Sequence, residues 1–409
     1  MAQSVARTSE KVTIGTQVPK PADLTERRIR RISAWILLYL LLQTELGLAW
    51  DREWHTIVGR DQFFTPPHDL MYTGIGGAGL VVLILVLTST VRYRRKAPGV
   101  DDSSTVDVFG IFHAPLGNVI TGFGALIAFI AAPLDNYWHE LYGIDITLWT
   151  PFHIMGTIGG ILAGIGLLYT LASEAAIDRQ SEHPGRRFLG FSSLEWGMMI
   201  LIAAFLELSL PALTAFPPIV IGSFQLPTYP LPLAIDGAMC LVGTFFFTRQ
   251  PRAAIFISLL VIPHALFTET FVPWAIRVSA AQQGIAFRAG RVPIFSVTTA
   301  LLPLVFIISA LFAYYILRRH FQNSDTTRTV TPRVWLAGAF VALPGAVIPP
   351  LIVLFIAKVT PMFPLPLDVY VLQPTWFAVL LSLPLASVAG ALGAVLAAGL
   401  GDIWHWSTR

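Results

Sequence analysis

The chain has 409 residues, of which 55% are hydrophobic and only 12% charged, and its formal net charge is +3. That composition excludes an ordinary soluble domain and points to a polytopic membrane protein. The single cysteine, Cys240, excludes a disulfide framework and a thiolate metal site. Basic residues flank apolar segments, as topology signals do, and do not suggest nucleic-acid binding.

Residues 1–31 are polar, carry the basic run Arg27, Arg28, Arg30 and Arg31, and read as a cytoplasmic N-terminal tail. A bilayer-spanning helix needs about 20 mostly apolar residues, and about ten such segments follow. They lie near 32–50, 69–89, 109–133, 151–172, 192–214, 231–248, 252–273, 295–317, 334–357 and 375–400. The predicted fold class is all-α, a polytopic transmembrane helix bundle. Further basic clusters at Arg92-Arg94-Arg95-Lys96, Arg186-Arg187, Arg249-Arg252 and Arg318-Arg319 sit on alternate loops. The positive-inside bias then puts both termini in the cytoplasm, with Arg277, Arg288 and Arg291 as exceptions in an outer loop. Residues 32–172 form a four-helix region, 173–190 a cytoplasmic linker, and 191–409 a second region of about six helices without an assigned role.

The chemistry is concentrated at the first and third helix ends. Asp51, Trp54, His55, Gly59, Asp61, Thr65, Pro66 and His68 form one cluster, and Asp135, Trp138, His139, Gly143, Asp145, Thr150, Pro151 and His153 form another. Each places an acid and a histidine four residues apart, on one face if the helix continues. Each then places a second histidine just after Thr-Pro, where proline suits a first helical turn. The two hairpins are therefore a tandem repeat of one unit, and the topology puts both clusters on the extracytoplasmic side. An Asp-His-His set with open positions suits a reactive copper, iron or zinc ion. The alternative is that Trp54 and Trp138 are interfacial belt residues and the acids and histidines ordinary loop polar groups.

Around these ligands, Arg60, Asp61 and Asp145 are candidates to orient the imidazoles, and Glu140 is either a further ligand or solvent-facing. His113 falls near the start of helix three and is expected to be structural. Glu207, Asp236, His264 and Glu269 are ionisable groups inside apolar segments, where such groups usually face a cavity or a partner. His183, His320 and His405 are assigned no role.

The string Asp51-Arg-Glu-Trp54-His55, followed by Arg60-Asp61 and Phe64-Thr65-Pro66-Pro67-His68, resembles the metal-binding segment of the C subunit of particulate methane monooxygenase and ammonia monooxygenase. The resemblance implies that Asp51, His55 and His68 correspond to that family's copper ligands. It implies a neighbouring copper site at Asp135, His139 and His153, where the family has asparagine at the first position. It spans roughly residues 35–172, and residues 191–409 have no counterpart in that subunit. The family assembles from three different subunits, so partner subunits, a lipid bilayer, O2 and a small apolar substrate are implied. The location implied is a bacterial or archaeal cytoplasmic membrane, or internal membranes derived from it. The leading expectation is a copper-dependent membrane monooxygenase, or its metal-bearing subunit, hydroxylating methane, ammonia or a short alkane. A metal-handling or transport protein and a non-catalytic scaffold subunit are the alternatives.

Overall fold

The computed structural model describes residues 23–59, 62–102, 104–143, 149–181, 184–210, 218–319, 330–359 and 376–404. Its long helices follow the apolar segments of the sequence. Helix α1 (Asp23–Ile57) and α2 (Pro66–Arg94) form the first hairpin, and α3 (Leu116–Tyr142) and α4 (Pro151–Gln180) form the second. After α5 (Ser193–Leu208) come α6 (Pro230–Thr248), α7 (Ala253–Gln283), the short α8 (Val297–Leu301), α9 (Leu304–Leu317), α10 (Pro332–Val359) and α11 (Trp376–Trp404). Three two-stranded antiparallel hairpins connect them: β1 (Thr105–Val108) with β2 (Phe112–Pro115), β3 (Arg187–Phe188) with β4 (Phe191–Ser192), and β5 (Ile219–Ile221) with β6 (Phe224–Leu226).

Among the described residues, nine helices are long and apolar enough to cross a membrane. The chain is an integral membrane protein with an all-α polytopic bundle. Large apolar side chains face outward along these helices, among them Leu80, Leu83, Ile84 and Leu87 of α2 and Leu385, Leu392 and Leu396 of α11. In water such rows would be aggregation sites; against lipid tails they cost nothing. The segment expected at 192–214 is not among the nine. Its described helix, α5, has 16 residues, about 24 Å, against roughly 30 Å of hydrocarbon.

The helices pack by small residues. A Cβ added at Gly124 would stand 2.3 Å from Ala163 N, and one at Gly166 would stand 2.3 Å from Thr121 N, so α3 and α4 touch backbone to backbone. Gly338 and Gly390 play the same part between α10 and α11. Lipid removes most of the hydrophobic drive between helices, which leaves close van der Waals packing to hold them.

Several expectations need correction. Helix α3 begins at Leu116, not near 109, because Thr105–Val108 and Phe112–Pro115 pair as a hairpin. Phe109 and Gly110 turn it with φ of 53° and 66°, the left-handed geometry that tight hairpins use. Within the stretch expected as a linker, 173–190, α4 runs on to Gln180 and Ala175 is buried in the main core. Nor are the two halves separate, because that core joins Leu37 and Leu41 of α1 to Met198 and Ile202 of α5 and Ile257 of α7. The tail expected to run to residue 31 gives way to helix from Asp23.

At its N-terminal end α1 is fixed by charge. Arg30, 4% exposed, donates from Nη1 to Asp101 Oδ2 at 2.9 Å and from Nη2 to Asp101 O at 2.7 Å. Arg31 donates to Asp178 Oδ1 at 2.9 Å, and both arginines face Glu174. From Arg30 to Asp51 is 21 residues, about 32 Å along the helix and close to the hydrocarbon thickness. The ion cluster and the first Asp-His-His set therefore occupy opposite ends of one span.

Candidate metal centre

Helix α1 continues past Trp50 to Ile57, so Asp51 and His55 do lie one turn apart. Helix α2 opens on Pro66 and Pro67 after Thr65, which places His68 in its first turn. His55 Nε2 is 3.5 Å from Asp51 Oδ2, and His68 Nε2 is 3.1 Å from Asp51 Oδ1. All three residues are buried. The second set repeats the design. His139 Nε2 and His153 Nε2 each lie 3.3 Å from Asp135 Oδ2, and Thr150 caps α4 by accepting from His153 N.

These spacings fit a shared ion. Metal–donor bonds of about 2.1 Å at angles of about 90–110° put donor atoms roughly 3.0–3.4 Å apart. The tautomers fit as well. Gln62 O lies 3.0 Å from His68 Nδ1, and Gly143 O lies 3.2 Å from His139 Nδ1. A backbone carbonyl accepts only from N–H, so in the neutral ring Nε2 carries the lone pair and points it at the carboxylate. Asp51 Oδ1, which faces His68 Nε2, is buried and accepts no hydrogen bond, and Asp135 Oδ2 faces Nε2 of both its histidines. Lone pair facing lone pair is unfavourable unless a cation or an extra proton lies between.

The two sets stand side by side. His55 has its ring centroid 6.3 Å from that of His68 and 6.3 Å from that of His139, while His139 and His153 are 5.7 Å apart. Their surroundings differ. Trp54, 1% exposed, is packed with Trp50, Val272, Ala275 and Ile276, so α7 packs on the stretch of α1 that carries Asp51 and His55. Asp135, His139 and His153 remain half-buried, with Trp138 against Tyr142 and Phe152. Trp54 is thus core and not belt.

The other candidates fall apart from these sets or outside them. Glu140 is exposed and accepts from Asn136 Nδ2 at 2.9 Å. Arg60, Asp61, Asp145, His183, His320 and His405 lie outside the described residues. His113 belongs to β2 and not to helix three, with Nδ1 2.7 Å from Asp107 and Nε2 2.6 Å from Asp102. Burial opposes its protonation, but the two carboxylates prevail and its pKa is raised. Asp236 lies 3.5 Å from Cys240 Sγ. Glu207 and His264 meet each other and Glu45 of α1. Glu45 escaped the sequence reading, although a lone acid inside an apolar segment was the available signal.

The chain matches no protein-family model, no curated protein and no solved structure. Function has to be argued from the donor atoms themselves.

Proposed function

We propose that this chain is a copper-dependent membrane monooxygenase, or the metal-bearing subunit of one, that uses O2 to hydroxylate a small apolar substrate such as methane, ammonia or a short alkane. The observation that carries this reading is the pair of Asp-His-His sets brought within 6.3 Å of each other through His55 and His139. Asp51, His55 and His68 would hold one ion, and Asp135, His139 and His153 the other. Imidazole nitrogen with one carboxylate is a donor set copper accepts, and three donors leave positions open for a reactant. One carboxylate with two neutral imidazoles carries a single negative charge, which a cuprous ion cancels. Copper, when bound, would supply the redox chemistry with O2; two protons and two electrons from an external reductant complete a reaction that yields alcohol or hydroxylamine and water.

The chain's own residues do the rest. The carbonyls of Gln62 and Gly143 hold the Nδ1 protons of His68 and His139 and so aim Nε2 at the ion. Trp50, Trp54 and the apolar face of α7 keep water from the first set. The basic clusters support a topology with both termini in the cytoplasm and both sets on the outer side. Partner subunits and an electron donor belong to the same reading.

The test is metal analysis of protein purified in mild detergent, followed by an O2-dependent hydroxylation screen. One or two equivalents of copper, reduced in a His55→Ala/His68→Ala variant together with product formation, supports the reading. Zinc or iron in its place, or hydroxylation unaffected by the double substitution, overturns it. A second reading, metal handling or transport, draws support from the deeper Glu45–Glu207–His264 group, since ions that cross need successive ligands.

A further inference from the structure

Three helices of the bundle converge on Glu45 of α1, Glu207 of α5 and His264 of α7. One donor atom from each lies within 4.8 Å of the other two. Glu45 and Glu207 are 8% and 9% exposed. His264 Nδ1 hydrogen-bonds Glu207 Oε2. On the other side of the ring, Nε2 is 3.3 Å from Glu45 Oε2, a buried oxygen that makes no hydrogen bond. Thr268, one turn further along the same face of α7, is also buried, and its hydroxyl oxygen makes no hydrogen bond. Pro263 precedes His264 directly and breaks the regular ladder of α7 at this level.

This group is distinct from the two Asp-His-His sets. Glu45 precedes Asp51 by six residues, which is about 9 Å along the helix and about 240° around it. The two acids therefore project from different faces of α1, one toward α5 and α7 and the other toward α2. The charge count calls for added positive charge, from protons or from a cation. Two carboxylates with a neutral imidazole carry two negative charges, and an imidazolium still leaves one. A divalent cation with the neutral ring brings the group to zero, the state a low-dielectric interior favours. Arg52, the nearest cation along α1, is exposed at the helix end seven residues beyond Glu45.

We propose that Glu45, Glu207 and His264 form a third metal site, for a divalent cation of the zinc, ferrous or manganous class. Glu45 Oε2 and His264 Nε2 take the ion. Glu207 accepts the Nδ1 proton, the way carboxylates commonly orient a ligating imidazole, and adds its negative charge to the site. With one carboxylate to one imidazole, against one to two in the outer sets, and a second carboxylate behind the ring, this donor set is harder than the outer ones, so it prefers those ions over cuprous copper.

The test is Co2+ binding to the full-length protein in detergent, followed by visible d–d absorption and by metal count. The wild type is compared with His264→Ala and with the near-isosteric Glu45→Gln, each shown to be monodisperse and helical. Both variants should bind one equivalent fewer than wild type. In a His55→Ala/His139→Ala background one Co2+ should remain and should vanish when His264→Ala is added. If the outer sets take neither Co2+ nor copper, the wild type still binds one Co2+ that depends on His264; the monooxygenase reading then fails and this one stands. Equal Co2+ counts in wild type and in both folded variants would overturn the third site and leave a proton-bridged ion pair in its place.

Discussion

Gly159 and Gly160 are neighbours on α4 in opposite surroundings, so alanine at each separates packing from helix propensity. A Cβ at Gly159 would stand 2.5 Å from Ala128 N and 2.8 Å from Gly124 O, both backbone atoms of α3, whereas one at Gly160 meets nothing within 4 Å. Either substitution gains up to about 1 kcal/mol of helix propensity. Carbon contacts are comfortable only from about 3.5 Å, so Gly159→Ala forces α3 and α4 apart by about 1 Å. Overpacking of that kind costs roughly 1–3 kcal/mol, and the propensity gain cancels in the comparison. Gly159→Ala is therefore expected to be about 1–3 kcal/mol less stable than Gly160→Ala. The strain also reaches the second metal set. His153 lies six residues away, about 9 Å along α4, and its Nε2 sits 3.3 Å from Asp135 Oδ2. Thermal unfolding in detergent, followed by circular dichroism, reads the first effect, and copper content reads the second. Equal stability and equal copper in the two variants would refute the backbone-contact argument.

The His113 contact should weaken as pH rises. A histidine whose pKa is raised in the folded state contributes fully below the unfolded value, about 6.5, and loses that contribution as pH climbs through the folded one. Amide exchange over 105–115, corrected for intrinsic rate, should therefore speed up in alkaline buffer, and His113→Gln should abolish the pH dependence; an unchanged profile in that variant contradicts the assignment. Because the first metal set is buried and the second half-buried, a membrane-impermeant chelator should remove copper in two phases. The fast phase should be missing from His139→Ala and the slow one from His55→Ala, and a single phase in wild type would count against the difference in cover. Arg30→Ala removes the buried guanidinium shared by Asp101 and Glu174 and leaves only the more exposed Arg27 and Arg31 beside them, so it should cost up to roughly 3–5 kcal/mol. A loss below about 1 kcal/mol, typical of an exposed pair, would show that water reaches the cluster.

The spans and the two Asp-His-His groupings were legible in the sequence because their signals are local. Twenty apolar residues announce a helix wherever they occur, and Asp51, His55 and His68 fall within one hairpin whose geometry follows from helical spacing and a Thr-Pro start. Contacts between hairpins carry no such signal. Nothing in the spacing of His55 and His139 says that their rings meet, since that depends on how α1 and α2 dock on α3 and α4. Glu45 was hidden in the same way: its partners come from α5 and α7, more than 150 residues along the chain. His113 was misplaced because hydropathy reads Phe112, Ala114 and Pro115 as the start of the following helix. The alternation of Thr105 to Val108 and the Phe109-Gly110 turn, which mark a hairpin, were too short to outweigh it.

Helix α1 has no proline along its 35 residues, and it is gripped at Arg30 and Arg31 on one side of the bilayer while presenting Asp51 and His55 on the other. It behaves as a keyed shaft: the grip at one end sets the angular phase of the ligands at the other. One residue inserted between them would turn Asp51 by about 100°, away from His68 and out of its pocket, without touching a single ligand. Identical donors would then be present and point in the wrong direction. The charge cluster on the far side of the membrane is therefore part of what aims Asp51 and His55.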